Sequence, residues 1–247
     1  MKFIKNFYCC FRTKALNAFP IIRYLKKYNI ILPEIYYYIF WLINKPRKIN
    51  FENRTFYLSL EEQPEPSRQL YSYQNIYNSY EKSIIQTEVK KGDICVDIGA
   101  NIGFFTHLFL KKVEQVGKVF SFEANQKIFD ILKKNFKDDK NVIFYKGFVG
   151  DEILIDSIIK QKIDFIKIDI DGPDLIALKS CNNVIDSFKP KIIIELSEDS
   201  FRAHGIHYLE VIEFLNKKNY QCYEILKTPK LFDRNLKKNE VINIFAK

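Results

Sequence analysis

The most constraining feature of this sequence is a regular alternation of strand-like and helix-like segments, which begins at Ile94. Ile94–Ile98 (ICVDI) is a short apolar run closed by Gly99, a pattern typical of a buried strand. Residues 102–113 follow with helical spacing, and the same succession is repeated further along the chain. Strands that alternate with helices predict an α/β fold, with a mostly parallel sheet covered by helices on both faces.

Further strands are predicted at residues 118–122, 141–146, 163–170 and 191–196, and further helices at residues 126–136, 175–188 and 206–218. Two last apolar segments, at residues 220–226 and 241–245, are separated by a turn without a helix. They predict a hairpin, and hence one antiparallel strand near the end of the chain. Because ligands of such sheets bind beyond the carboxyl ends of the strands, where the strand order reverses, we expect the functional residues there.

The net charge of +9 belongs to the first fifth of the chain. Residues 1–50 hold ten Lys and Arg and a single acid, Glu34, whereas residues 51–247 hold 29 basic and 29 acidic residues. A composition of 47% hydrophobic and 28% charged residues excludes a disordered chain and a collagen-like fibre. Since the larger part of the chain is neutral, it offers no continuous basic track, and we predict no nucleic-acid partner.

The cysteines and the apolar runs together predict a cytoplasmic protein. The five cysteines are odd in number and lack a framework spacing or a C-x-x-C pair, which argues against disulfides and structural zinc: Cys9, Cys10, Cys95, Cys181 and Cys222. Basic residues interrupt every apolar run near the start, so no signal-peptide core is predicted. The longest run, at residues 35–43, is too short to span a membrane.

A glycine loop follows the first predicted strand. The sequence DIGANIG turns on Gly99 and enters a helix after Gly103, and glycine permits positive φ and a close approach of ligand to backbone. The spacing differs from the G-x-G-x-x-G of a pyrophosphate site, and a P-loop Lys-Ser/Thr pair is absent. The loop resembles the first motif of class I S-adenosylmethionine-dependent methyltransferases, an acid-x-Gly-x-Asn/Gly-x-Gly pattern matched by Asp97, Gly99, Asn101 and Gly103.

This resemblance implies S-adenosylmethionine (SAM) as the cofactor. It implies that the backbone of Gly99, Ala100, Asn101 and Gly103 lies against the methionine part. It also implies that Asp97 helps to hold the amino-acid end, directly or through water, as suits a carboxylate facing an ammonium group. A plain glycine turn between strand and helix remains the alternative.

An acid ends the second predicted strand. Glu123 follows Gly99 by 24 residues, which is the spacing of a carboxylate that accepts hydrogen bonds from a ribose diol. The stretch Phe122-Glu123-Ala124-Asn125 is similar to the F-E-P-N stretch of the same family, with alanine in place of the frequent proline. The similarity implies that Glu123 and Ala124 bind the cofactor, although an acid here also suits the start of the next helix.

Two later stretches resemble FkbM-type methyltransferases. Residues 164–180 (DFIKIDIDGPDLIALKS) are similar to the family's D-hydrophobic-hydrophobic-K-I-D-V-E-G signature, with Asp171 in place of the usual glutamate. Residues 189–199 (KPKIIIELSED) are similar to its P-x-hydrophobic run-E strand. The resemblance covers residues 81–247 and implies a Rossmann-like, mostly parallel sheet with an antiparallel C-terminal strand. Residues 1–80 are interpreted as a basic, aromatic, helical extension and a linker.

Three acids at the ends of the later strands are the candidates for catalysis. We expect Asp169 near the cofactor and the acceptor, with Asp171 and Glu195 lining the acceptor pocket, because a hydroxyl acceptor must lose a proton. Two alternatives stay open: an ion-pair network that includes Lys167, and a hard divalent cation held by the three acids, although no metal is implied. The histidines at positions 204 and 207 are further candidates for a base.

The sequence therefore predicts a SAM-dependent O-methyltransferase that acts on a hydroxyl of a sugar, glycolipid or secondary metabolite. The class of acceptor is implied by the resemblance to the family. One alternative is a metal-dependent glycosyltransferase that uses Asp169 and Asp171 as a D-x-D motif. Another is a non-catalytic, membrane-associated protein of methyltransferase-like fold. Residues 1–50 are interpreted either as a helical cap over the acceptor site or as a membrane-surface anchor, because they combine Lys and Arg with aromatic residues. The oligomeric state is left open.

Overall fold

The computed structural model describes residues 48–59, 67, 70, 79–237 and 240–247. The chain divides into two units, Met1–Pro46 and Arg47–Lys247, and the described residues all belong to the second. Most of the predicted helical extension and membrane anchor lies outside the described residues. The described end of that extension differs from the expected helix, because residues 48–50 lie in a strand. The predicted domain boundary at residue 80 stays a prediction.

The described part begins with a β-hairpin and a helix. Strand β1 (Lys48–Phe51) pairs antiparallel with β2 (Arg54–Tyr57), and helix α1 (Ser79–Glu88) precedes the sheet. Glu52 and Asn53 connect the two strands with positive φ at both positions, which is the geometry of the tight turns that suit hairpins. No strand was expected at this hairpin from the sequence.

The hairpin is held on the rest of this unit by polar contacts. Arg54 donates to both carboxylate oxygens of Asp139, each at 2.8 Å. The backbone of Tyr57 exchanges two hydrogen bonds with the side-chain amide of Asn135, at 2.7 and 3.1 Å. The Asn135 amide also donates to the carbonyl of Ile102 at 2.8 Å, so the hairpin is tied to the end of the glycine loop.

A mostly parallel sheet forms the centre of the unit. Its strands are β3 (Ile94–Ile98), β4 (Lys118–Glu123), β5 (Val142–Lys146), β6 (Phe165–Ile168), β7 (Lys191–Ser197), β8 (Cys222–Glu224), β9 (Lys230–Leu231) and β10 (Val241–Ala246). They lie in the order β5-β4-β3-β6-β7-β10-β8-β9, with β3 to β7 parallel. Strand β10 runs antiparallel to both β7 and β8, which confirms the predicted antiparallel strand. The order reverses between β3 and β6, and a crevice is expected at that point.

Helices cover both faces of this sheet, as the pattern of apolar residues predicts. They are α2 (Phe104–Val113), α3 (Gln126–Asn135), α4 (Ile155–Ile158), α5 (Asp174–Lys179), α6 (Asn182–Phe188), α7 (Glu198–Ala203) and α8 (Leu209–Lys217). The central strands are buried almost completely, because apolar side chains line them on both sides. The Rossmann-like fold class is therefore confirmed for the described residues. Among these residues, none of the helices has the length and apolar character that a membrane crossing requires.

Three local differences from the expected elements have physical reasons. The strand expected at residues 163–170 ends at Ile168, because the chain turns through positive φ at Asp171 and Gly172. The helix expected at residues 175–188 is two helices, since the Asp156 carboxylate caps the second by accepting from the N–H groups of Asn183 and Val184. The short helix α7 was not expected, and the side chain of Ser197 caps its start.

Candidate active site

A cavity of about 190 Å³ lies beyond the carboxyl ends of β3, β4 and β6, where the strand order reverses. Six predicted site residues line it: Gly99, Asn101, Glu123, Ala124, Asp169 and Asp171. The cavity therefore joins the glycine loop and the acid of the second strand to two of the later acids. Among the described residues, the predicted Asp97, Ala100, Gly103 and Glu195 are outside its lining.

Gly99 is the position at which the loop leaves no room for a side chain. Its φ is +80°, and an added Cβ would lie 1.8 Å from the carbonyl oxygen of Asp169. The N–H groups of Gly99 and Ala100 both donate to the carbonyl of Phe122, at 3.0 and 2.9 Å. The loop is thus held between the ends of β4 and β6, and a ligand in the cavity meets backbone rather than a side chain at this point.

Gly103 starts helix α2 with a φ of +97°. An added Cβ would lie 2.1 Å from Cε2 of Phe136, so this glycine allows the helix to pack closely on its neighbours. The backbone contact with a cofactor that the resemblance implies for Gly103 and Ala100 stays a prediction.

Asp97 is fully buried within strand β3. Its Oδ2 accepts a hydrogen bond from the Thr106 hydroxyl at 2.6 Å, whereas its Oδ1 has no hydrogen-bond partner among the described residues. Since the Thr106 hydroxyl has one hydrogen, the hydroxyl of Ser121 at 2.9 Å donates to it. Burial raises the pKa of Asp97, although Lys167 opposes that shift. A direct or water-mediated role of Asp97 at the cofactor stays a prediction.

Glu123 is the last residue of β4, and its carboxylate is fixed by backbone donors. Oε2 accepts from the N–H of Asn101 at 3.0 Å, and Oε1 accepts from the N–H of Asn125 at 2.8 Å. Burial raises the pKa of this carboxyl group, and the N–H groups around it lower the pKa in part. Each carboxylate oxygen can accept a second hydrogen bond, so Glu123 can receive both hydroxyls of a diol from the cavity.

The three later acids lie close to one another. One carboxylate oxygen from each of Asp169, Asp171 and Glu195 lies within 4.8 Å of the others. Strands β6 and β7 pair Ile168 with Ile194, so Asp169 and Glu195 both follow directly after that pair. Asp171 reaches the cluster from the turn after β6, because the strand has already ended.

Lys167 is the buried cation of this cluster. Its Nζ lies 2.9 Å from Oδ2 of Asp169 and 4.3 Å from the centroid of the Phe105 ring. Burial alone would lower the pKa of Lys167, but the charges of Asp169 and Asp97 raise it above its usual value. The ion pair considered from the sequence is therefore present.

The pKa of the Glu195 carboxyl group is strongly shifted. Burial raises its pKa to about 8, and the negative charge of Asp169 adds to that shift. A carboxyl group of this kind takes up and releases a proton near neutral pH, which suits a general base. The arrangement can accept a proton from a group that binds between the acids, and it can also offer oxygen atoms to a hard cation.

Two acids of the site were missed in the sequence. Asp174, buried at the start of α5, accepts from the N–H groups of Ile170 and Gly172 at 3.0 and 2.9 Å, and burial raises its pKa to about 6. The acid in DGPD, two residues after a glycine turn, was the signal for it. Glu81 of α1 accepts from the side-chain amide of Asn243 at 2.8 Å, and nothing local in the sequence marks it.

The two candidate histidines lie outside the cavity lining among the described residues. His204 directly follows the end of α7, and its ring Nδ1 lies 2.9 Å from the carbonyl oxygen of Ser200 within that helix. The ring Nδ1 of His207 accepts from the N–H of Leu209 at 3.2 Å. Both exposed rings thus have local contacts in the loop before α8, and a role as base stays a prediction for either.

Comparison with known proteins agrees with the geometry of the cavity. Residues 150–222 match the model of the methyltransferase FkbM domain. A search among curated proteins finds no match. A candidate rRNA methylase from Clostridium thermocellum aligns over 67% of this chain and 92% of its own, with 17% identity and a TM-score of 0.53. Fibrillarin from Aeropyrum pernix, in complex with natively bound SAM, aligns over 69% and 76%, with 14% identity and a TM-score of 0.50.

At these identities the solved structures show the fold alone, a Rossmann-like sheet that this chain shares with the candidate rRNA methylase and with fibrillarin. The predicted cofactor, SAM, agrees with this fold, since fibrillarin holds SAM in a fold of the same kind. The match of residues 150–222 to the methyltransferase FkbM domain confirms the resemblance drawn from the motifs in that part of the chain.

Proposed function

We propose that this protein is an enzyme that transfers a methyl group from SAM to a hydroxyl of a sugar, glycolipid or secondary metabolite. The observation that carries the proposal is the cavity that brings Gly99 and Glu123 together with Asp169 and Asp171, next to Glu195. The acceptor class is supported by the resemblance to the FkbM family and by a cluster of carboxylates suited to hydroxyl groups.

The residues on one side of the cavity fit SAM. Glu123 would accept hydrogen bonds from the two ribose hydroxyls, and Gly99 would let the cofactor approach the backbone closely. The Oδ1 of Asp97, which has no hydrogen-bond partner in the described part of the chain, is a buried acceptor close to the same loop. When bound, SAM supplies an electrophilic methyl group on a positively charged sulfur atom.

The acids on the other side would orient and deprotonate the acceptor. Asp169 is paired with Lys167 and can hold the acceptor hydroxyl by a hydrogen bond. Glu195, with a pKa raised to about 8, would take the proton that the hydroxyl loses. Fixed positions of this kind supply much of the rate of an in-line displacement.

The first test is binding of SAM and of its demethylated product, S-adenosylhomocysteine (SAH), by calorimetry, followed by transfer of labelled methyl to carbohydrate and glycolipid acceptors. We expect micromolar binding of both ligands and label in an alkali-stable methyl ether. Absence of binding would overturn the proposal that the protein is a SAM-dependent enzyme. Methyl transfer to nucleic acid instead would overturn the proposed acceptor class. The glycosyltransferase alternative explains Asp169 and Asp171 but leaves Gly99 and Glu123 without a role.

We also propose a cytoplasmic location, with contact to anionic membranes through residues 1–50. The support is the basic and aromatic composition of that segment and the absence of a disulfide framework in the sequence. Flotation of the full chain with vesicles that contain anionic lipid tests the contact. Equal flotation with neutral vesicles would contradict the electrostatic anchor.

A further inference from the structure

Glu81 stands apart from the other acids because it comes from a helix that precedes the whole sheet. It lies in the first turn of α1 and is half-buried. Its Oε1 accepts a hydrogen bond from Nδ2 of Asn243, a residue 162 positions later in the chain. The methyl-transfer mechanism given above assigns no role to this carboxylate.

Asn243 connects Glu81 to the acid cluster. On β10 it is the direct antiparallel partner of Glu195 on β7. Residues directly opposite each other in an antiparallel pair point to the same face, with Cβ atoms about 5 Å apart. The hydrogen bond from Asn243 to Glu81 therefore fixes a side chain that stands beside Glu195.

Charge also connects Glu81 with the site. Burial raises the pKa of Glu81, whereas the nearby charge of Lys167 lowers it and that of Asp169 raises it. Among the described residues, Lys167 and Asp169 act on Glu81, and the further acids that act on Lys167 or Glu195 include Asp97, Asp171 and Asp174. Acids outnumber the lysine, so the region attracts a cation.

We infer that Glu81 is a positioning residue of the methyl-transfer site. Glu81 holds Asn243 beside Glu195, and its negative charge favours binding of the sulfonium of SAM over the neutral sulfur of SAH. The inference rests on the proposed function, since it needs the sulfur atom to lie on the acid side of the cavity. It goes beyond that function by giving α1 a part in discriminating cofactor from product.

The test compares the affinities for SAM and SAH, so that no acceptor is needed. The substitution Glu81→Gln removes the charge and keeps an oxygen that can accept from Asn243, whereas Glu81→Ala removes both. Glu88→Gln is the matched control, because Glu88 ends the same helix and pairs with Lys191, and its side chain is about a quarter exposed. All proteins are measured by calorimetry at pH 8, with thermal unfolding alongside.

We expect Glu81→Gln to reduce the ratio of SAM to SAH affinity by about threefold or more, with SAH affinity within about twofold of the wild type. Glu81→Ala reduces the ratio at least as far, and Glu88→Gln leaves it unchanged. An unchanged ratio in Glu81→Gln, or an equal loss of both affinities, overturns the inference while the proposed function stands. If the wild type binds neither ligand, the proposed function and this inference fail together.

Discussion

The two sides of the cavity are built in different ways. On the cofactor side, Gly99, Asn101 and Glu123 lie at the ends of the adjacent strands β3 and β4, and N–H groups of the glycine loop donate to the Phe122 carbonyl and the Glu123 carboxylate at about 3 Å. On the acceptor side, Asp169 and Glu195 come from separate strands, and their neighbour Glu81 comes from a distant helix. The first side depends on steric fit to the backbone, and the second on charges brought together by tertiary structure. Changes on the first side should therefore affect the binding of SAM and SAH alike, and changes on the second should affect chemistry or the preference for SAM over SAH.

The largest effect is expected from Gly99→Val. A side chain there would overlap the carbonyl of Asp169 and would have to adopt a φ of +80°, which costs about 3 kcal/mol or more of unfolding free energy. We expect loss of SAH binding by calorimetry and a clearly lower melting temperature. Gly205→Ala is the control, since Gly205 also has positive φ but no atom within 4 Å of the added Cβ. Binding that survives in Gly99→Val would contradict the steric account.

The next effect is expected on the acceptor side, from Glu195→Gln. Loss of the base should lower kcat by about 10²- to 10⁴-fold and leave SAH affinity within about twofold. Because the ionised form takes the proton and the pKa is about 8, kcat/KM should fall as the pH drops below 8 and level off above it. Glu213→Gln on the exposed side of α8 is the control. A wild-type pH profile that is flat through this range would argue against Glu195 as the base.

A smaller effect is expected from Glu123→Ala on the cofactor side. Two charge-assisted hydrogen bonds to a ribose are lost, so the affinities for SAM and SAH should fall together by about 10- to 100-fold. Glu114→Ala removes a carboxylate of a surface pair with Lys91 and should change neither affinity. A selective loss of SAM over SAH would mean that Glu123 senses the sulfonium, which would break the division between the two sides.

The smallest effect is expected from removal of metal ions. Lys167 already pairs with Asp169, so a lysine rather than a divalent cation balances part of the charge in our account. Addition of EDTA should therefore change SAM affinity and methyl transfer by less than about twofold. Activity that is lost in EDTA and restored by magnesium would assign the acids Asp169, Asp171 and Glu195 to a metal site instead.

The same contrast explains what the sequence could predict. The glycine loop and Glu123 could be predicted because the local sequence determines a strand, a glycine turn and the next helix. The antiparallel last strand could be predicted for the same reason, since residues 220–226 and 241–245 lack an intervening helix. The cluster of Asp169 and Glu195 was expected because carboxyl ends of parallel strands meet at one edge of the sheet.

The rest depended on contacts between distant parts of the chain. Glu81 joins the site only through the pairing of β10 with β7, which no spacing in the sequence reveals. The division of the helix expected at residues 175–188 depends on a cap from Asp156, which lies in a different element. The early end of β6 depends on the positive φ of Asp171, a conformation that is uncommon for a residue other than glycine.

The most direct test of the account is a crystal structure of the protein with SAH. We predict that both ribose hydroxyls lie within hydrogen-bond distance of the Glu123 carboxylate, that the ligand packs on Gly99, and that the sulfur atom faces Asp169. A ligand bound away from this cavity, or a sulfur atom turned away from Asp169 and Glu195, would contradict the assignment of the two sides.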